Sequence, residues 1–182
     1  MFTLSKSPIV YVQRTSKSEP FPVTLEGVKL FLRVENNQDD DLILSLIAMA
    51  TEYAEWHMEK SLMKQTWQIS YEGYIPRRIY LSYGPVKEII SATAITSTNQ
   101  ERQEIKYYFS NVGSYVEFQS SPNTKMVNVT YEAGYDTVPE QIKLGIIKHV
   151  SKLYKNRESD IGNYLSEIKK AYFPFRNPRV VL

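Results

Sequence analysis

Three consecutive acids, Asp39, Asp40 and Asp41, are the first residues whose type and spacing suggest chemistry, because clustered carboxylates bind hard cations. An EF-hand loop would need a glycine and a distal glutamate at fixed offsets, and the sequence lacks both. The same triplet precedes an apolar periodic run, where acids complement the positive end of a helix and Asp39 is a natural cap. Helix initiation is therefore the favoured use. The two histidines, His57 and His149, stand on separate helical patterns with no Ser, Asp or Glu at motif spacing. The seven glycines are too dispersed for a phosphate-cradling loop or a dinucleotide fingerprint. With no cysteine there is no disulfide, iron–sulfur cluster, Cys-ligated zinc or thiol nucleophile. Asn128-Val129-Thr130 matches a glycosylation acceptor but lies inside a strand pattern, and Met1–Val10 lacks the basic start and apolar core of a signal peptide. The 14 tyrosines recur at strand period, as core and sheet-surface residues do, more than as base-stacking platforms. These residues predict no catalytic site, metal or cofactor, and place function in surfaces.

The surfaces follow from the order of elements. At 182 residues, 42% hydrophobic and 23% charged, the chain is long enough to bury a core and is expected to be one compact soluble unit. No run approaches the roughly 20 apolar residues of a membrane span, so no membrane partner is expected. Residues 1–22 read as an extended arm, since Pro8, Pro20 and Pro22 each push the preceding residue out of the helical region. Thr24 caps a short helix over 24–33 that buries Val28, Leu32 and Phe31 and is closed by Asn36 and Asn37.

A longer helix is predicted over 39–60. At about 100° per residue, Leu46, Ile47, Ala50, Ala54 and His57 fall within roughly 60° of Ile43 and form the core stripe. Leu42, Met49, Tyr53 and Trp56 widen that stripe on one side and Leu44 on the other, leaving a narrow polar wedge of Ser45, Glu52, Glu55 and Glu59. Such a helix must be covered on more than one side, by the chain's own β-region or by another subunit. Leu42, Met49, Tyr53 and Trp56 are the candidate subunit interface.

From Lys64 to Tyr135 the period changes to two, with strands expected near 65–72, 78–82, 86–96, 105–109, 115–119 and 126–133. These predict a small antiparallel sandwich or open barrel whose edges suit strand addition by a neighbouring chain. After Pro139 a helix to about 156 buries Ile142, Ile146, Val150 and Leu153 and turns Lys148, Lys152 and Lys155 the other way. Residues 156–163 read as a polar loop, 164–172 as a short helix, and 173–182 as an extended strip. Its two phenylalanines, two prolines and two arginines match the composition that interfaces favour. Charge is split: residues 1–60 hold 6 Lys/Arg against 9 Asp/Glu, residues 141–182 hold 9 against 3. A basic end suits nucleic acid or an acidic partner, and equally a solvated lysine face.

Several segments together resemble one family. Val23-Thr24-Leu25-Glu26-Gly27-Val28-Lys29-Leu30-Phe31-Leu32-Arg33-Val34, the Asp-rich helix start, and Ala48-Met49-Ala50-Thr51-Glu52-Tyr53-Ala54-Glu55 look like the opening of tailed-phage head–tail connector (adaptor) proteins. Gln65-Thr66-Trp67, Gly84-Pro85-Val86, Val129-Thr130-Tyr131-Glu132-Ala133-Gly134-Tyr135, Val138-Pro139-Glu140-Gln141-Ile142-Lys143 and Pro174-Phe175-Arg176 extend the resemblance to about 23–176. It implies an α+β fold: an antiparallel helical bundle interrupted by the small β-sandwich or open-barrel subdomain at 64–135, with 23–182 a single connector domain. It implies a virion structural protein, present in the host cytoplasm during assembly and linked to DNA packaging. Its partners would be the portal protein, a tail-side completion protein, further copies of itself in a ring commonly of twelve subunits, and DNA passing non-specifically through the channel. Phe173, Pro174, Phe175 and Arg176 match the segment that engages the portal, and Lys148, Lys152 and Lys155 would face the DNA. The competing class is an enzyme of unknown reaction or a carbohydrate-binding module built on the β-region with its tyrosines and Trp67.

Overall fold

The computed structural model describes residues 8–17, 21–95, 102–119, 124–155 and 162–176. Those within 1–18 and 64–134 form one compact unit, made of strands, and those within 19–63 and 135–182 a second, made of helices. The fold is α+β, with antiparallel sheets.

In the helical unit, α1 (Leu25–Leu32) starts at Thr24, whose hydroxyl accepts from the Gly27 amide at 3.1 Å. It ends at Arg33, left-handed with φ 61°, rather than at Asn36 and Asn37. Val28 is buried and Leu32 half-buried, but Phe31 is exposed, contrary to expectation. A helix of 8 residues has room for only one buried stripe, and the 3.6-residue period turns Leu30 and Phe31 away from it.

The helix α2 (Asp40–Met58) buries Ile43, Ile47, Ala50, Ala54 and Met58, side chains three and four apart on one face. The acidic triplet serves this helix start. Asp40 Oδ1 lies 2.6 Å from Lys29 Nζ, tying α1 to α2. Asp39 is the N-cap by position, but its side chain makes no capping bond and instead accepts from the Tyr154 hydroxyl at 2.5 Å. Glu55, expected on the polar wedge, is 4% exposed. Its carboxylate accepts from the Leu62 amide at 3.0 Å, holding the chain as it leaves the helix.

The helices α3 (Glu140–Lys155) and α4 (Gly162–Tyr172) complete this core with Ile142, Ile146, Val150, Ile168 and Tyr172. Gly145 is required where they approach: a Cβ there would lie 2.9 Å from a Tyr172 ring carbon. Phe173–Phe175 form a single 3₁₀ turn instead of an extended strip, and Phe175 packs against the helical core. Residues 177–182 of the expected strip and most of the expected polar loop lie outside the described residues.

The strand unit holds two open sheets rather than a closed barrel. Five strands run in the order β1 (Ile9–Lys17), β2 (Gln65–Glu72), β8 (Met126–Ala133), β4 (Val86–Ile95), β5 (Arg102–Glu104). Three run β3 (Arg78–Tyr80), β7 (Tyr115–Phe118), β6 (Tyr107–Ser110). Side chains from both sheets, including Trp67, Ile69, Ile79, Val116, Phe118, Val127, Val129 and Tyr131, build one core. The segment expected as an arm carries β1, paired with β2 from Ile9 opposite Glu72 to Lys17 opposite Gln65. Ile105 falls between β5 and β6, so the strand expected at 105–109 is displaced. Asn128 is buried in β8, which leaves no room for a glycan.

Candidate functional site

The helical unit brings the sequence-predicted positions together on three elements. On α2, Leu42, Met49 and Trp56 are exposed along the side that faces away from the Ile43–Met58 core stripe. They recur every seven residues, the spacing that keeps a row of side chains on one side of a helix. Tyr53 differs from these three. It is half-buried against the core, with Trp56 at 5.8 Å between ring centroids, so it supports the stripe from behind. Leu44 is exposed on the other flank. Leu30, 83% exposed on α1, belongs to the same class of uncovered apolar residue. The sequence signal for Leu30 is its offset of two from Val28, which places it opposite the buried side of that helix.

Sequence reasoning missed what Tyr53 joins. Its ring lies 6.0 Å from His57, 5.2 Å from His149 and 6.4 Å from Tyr172, gathering four aromatic side chains from α2, α3 and α4. Burial pushes His149 down to about 4. Burial, with the positive charges of Arg176 and Lys169, also lowers His57. Both imidazoles are therefore held in their neutral form, as packing groups.

On α3, Lys148 and Lys155 are exposed, whereas Lys152 Nζ lies 3.1 Å from Glu167 Oε2 on α4. That pair is well exposed and worth no more than about 1 kcal/mol. Lys169 and Lys170 add exposed positive charge on α4. In the 3₁₀ turn, Phe173 and Pro174 are exposed. Phe175 is held by the core, and Arg176 Nη2 lies 3.7 Å from Glu59 Oε1 at the end of α2.

An α+β chain with apolar rows on the outside of a well-packed helical core is built as a structural protein acting through surfaces. The chain belongs to the phage gp6-like head-tail connector protein family, whose model matches residues 22–124. It is a structural component of the phage virion, a connector. No curated protein matches it. Among solved structures, it is similar in fold to a chain from the neck of an empty GTA particle computed with C6 symmetry. The TM-score is 0.76 at 12% identity, over 94% of this chain and 97% of that one. A chain from the virion of a native gene transfer agent (GTA) particle matches at TM-score 0.74 and 13% identity, over 93% and 97%. A third, from the neck of a native GTA particle computed with C12 symmetry, matches at 0.68 and 12%, over 94% and 97%.

Proposed function

We propose that this connector works as one subunit of an oligomeric ring in the virion neck, assembled in the host cytoplasm and joining the portal protein above to a tail-side completion protein below. The observation that carries the ring is the exposed row Leu42, Met49 and Trp56 on a helix whose opposite face is already core. These residues are 36%, 58% and 64% exposed, so covering what remains contributes roughly 0.5–2 kcal/mol each, and a neighbouring copy is the cover. The C6 and C12 symmetries of the necks that hold chains of similar fold support the same reading. In this role residues 23–182 act as a connector domain, an antiparallel helical bundle carrying the β-subdomain, and β1 (Ile9–Lys17) completes the sheet of that subdomain.

The portal contact in this reading is Phe173-Pro174-Phe175-Arg176. Phe173 and Pro174 offer the exposed surface, while Phe175 and Arg176 anchor the turn to the helical core and to Glu59. Phe173→Asp should reduce portal binding by ten-fold or more, since aromatic anchors dominate interfaces at about 2 kcal/mol or above each. Its melting temperature should not change, because Phe173 is 68% exposed. Pull-down on purified portal protein measures this, and undiminished binding would remove Phe173 from the contact.

The channel lining is assigned to Lys148, Lys152 and Lys155, which would hold DNA through its phosphates without reading sequence. Lys152 contributes least, being shared with Glu167. Changing all three to Glu should leave ring size unaltered and lower DNA retention in filled particles. Unchanged retention in nuclease-protection assays would sink the assignment.

A further inference from the structure

Among the described strands that carry apolar residues, β1 alone leaves all of them exposed: Ile9, Val10, Tyr11 and Val12. Its pairing register explains why. Val10 stands opposite Tyr71, Val12 opposite Ile69 and Arg14 opposite Trp67, and residues directly opposite one another share a sheet face. Val10 and Val12 therefore prolong the inner face that Ile69 and Trp67 bury, past the point where the narrower three-stranded sheet covers it. Ile9 and Tyr11 lie on the outer face with Glu72 and Ser70.

Among the described residues the two sheets have four edge strands, and they are not alike. Strand β5 is three residues, Arg102-Gln103-Glu104, and β3 is three residues flanked by Arg77, with Arg78 Nη2 2.9 Å from Glu117 Oε2. Short, charged edges are the usual protection against stray pairing. Strand β1 over Ile9–Val12 and strand β6 over Tyr107–Ser110 have no charge, no proline and four residues each. The irregularity in β1 comes only later, between Arg14 and Ser16.

We propose that the open edge of β1 at Ile9–Val12 is taken by the open edge of β6 of a second copy of this chain. The inference rests on the ring reading and gives it a second contact. One subunit offers β1 at an edge of the five-stranded sheet and β6 at an edge of the three-stranded sheet, and a contact between two different surfaces propagates from copy to copy, as a ring requires and a two-fold dimer does not. The uncharged four-residue stretch at the start of the nine-residue β1 fits the four-residue β6 in apolar character on both faces: Val10 and Val12 inward with Tyr107 and Phe109, Ile9 and Tyr11 outward with Tyr108. Main-chain hydrogen bonds supply the attraction, and the alternate side chains supply the choice of partner.

The absence of native cysteine allows a direct test. Full-length chains carrying Tyr11→Cys and Tyr108→Cys are mixed, with and without portal protein, and oxidised. A disulfide-linked dimer is expected in the mixture, at several times the amount in either variant alone. Val12→Lys, which charges the open edge, should suppress that crosslink and weaken self-association at least ten-fold, with the chain still folded by circular dichroism because Val12 lies on an edge strand and is 39% exposed. Rings that form without the mixed crosslink and tolerate Val12→Lys overturn the strand contact and leave the ring reading intact. Crosslinking confined to the Tyr11→Cys chain alone overturns the pairing with β6. Monomers with no crosslink under either condition overturn the contact and the ring together.

Discussion

A chain carrying both Met49→Glu and Trp56→Glu is expected to fold as the parent does and to form no rings, alone or on the portal protein. The two side chains are 58% and 64% exposed, so their replacement takes little from the core of the helical unit. Surface changes of this kind stay within about 0.5 kcal/mol. In the proposed ring the same positions become interior, and a carboxylate left there without a partner costs several kcal/mol. At about 1.4 kcal/mol per factor of ten, two such carboxylates lower association by roughly a thousand-fold or more. Light scattering in the presence of portal protein measures the assembly, and circular dichroism checks the fold. Rings of parental size from the double variant would show that this face of α2 is a solvated surface. Tyr53 is unsuited to the same experiment. Its contacts with Trp56, His57, His149 and Tyr172 make it part of the core, and its loss would confuse folding with assembly.

The positions on α2 were legible because a helix writes its faces into a local period, and Leu42, Met49 and Trp56 needed only that period to be found. Glu55 shows the limit. A helical wheel assigns it to solvent by type, whereas its carboxylate is drawn inward by one backbone amide, Leu62, seven residues away. Strand period likewise located β2, β4 and β8 but says nothing about which sheet a strand joins. The division into five and three strands depends on pairings such as Ile79 with Val116, which are distant in sequence. Strand β1 was hidden for a related reason. Its Ile-Val-Tyr-Val run does not alternate, because neither face is covered, and the prolines at 8, 20 and 22 speak for an arm until the edge of β2 is there to receive it.

The prolines of the tail point to an extended strip, whereas Phe173–Phe175 form a 3₁₀ turn. Pro174 is incompatible with a long helix, yet at the start of a 3₁₀ turn its missing amide costs nothing, and burial of Phe175 then selects the turn over an extended strip. Nothing in the sequence links the two histidines, which stand on separate helical patterns far apart in the chain. Only the packing of α2 against α3 sets both beside Tyr53.

That packing makes the helical unit sensitive to acid. His149 is 4% exposed and burial lowers it to about 4, so the folded chain accepts its proton only near that pH. The unfolded chain accepts it near 6.5. Between those values the unfolded state binds more protons, and stability must fall as pH falls. It is whole above about 6.5, declines across the window, and stops declining below 4. From pH 7 to 5 the loss is about 2 kcal/mol, or roughly 4–8 °C in melting temperature for a chain of this size. Ordinary carboxylates titrate mostly below that interval, which keeps the slope attributable to histidine. Charging the imidazole sets it among Tyr53 and Tyr172, neutral rings, and near a region where Lys169 and Arg176 already lower His57. In His149→Leu the decline between pH 7 and 5 should be at least roughly halved, with His57 supplying the remainder. Melting curves of parent and variant at pH 7, 6 and 5 measure the difference. Parallel declines in the two chains would mean that His149 takes up its proton without opening the helical core, and that the acid sensitivity lies elsewhere.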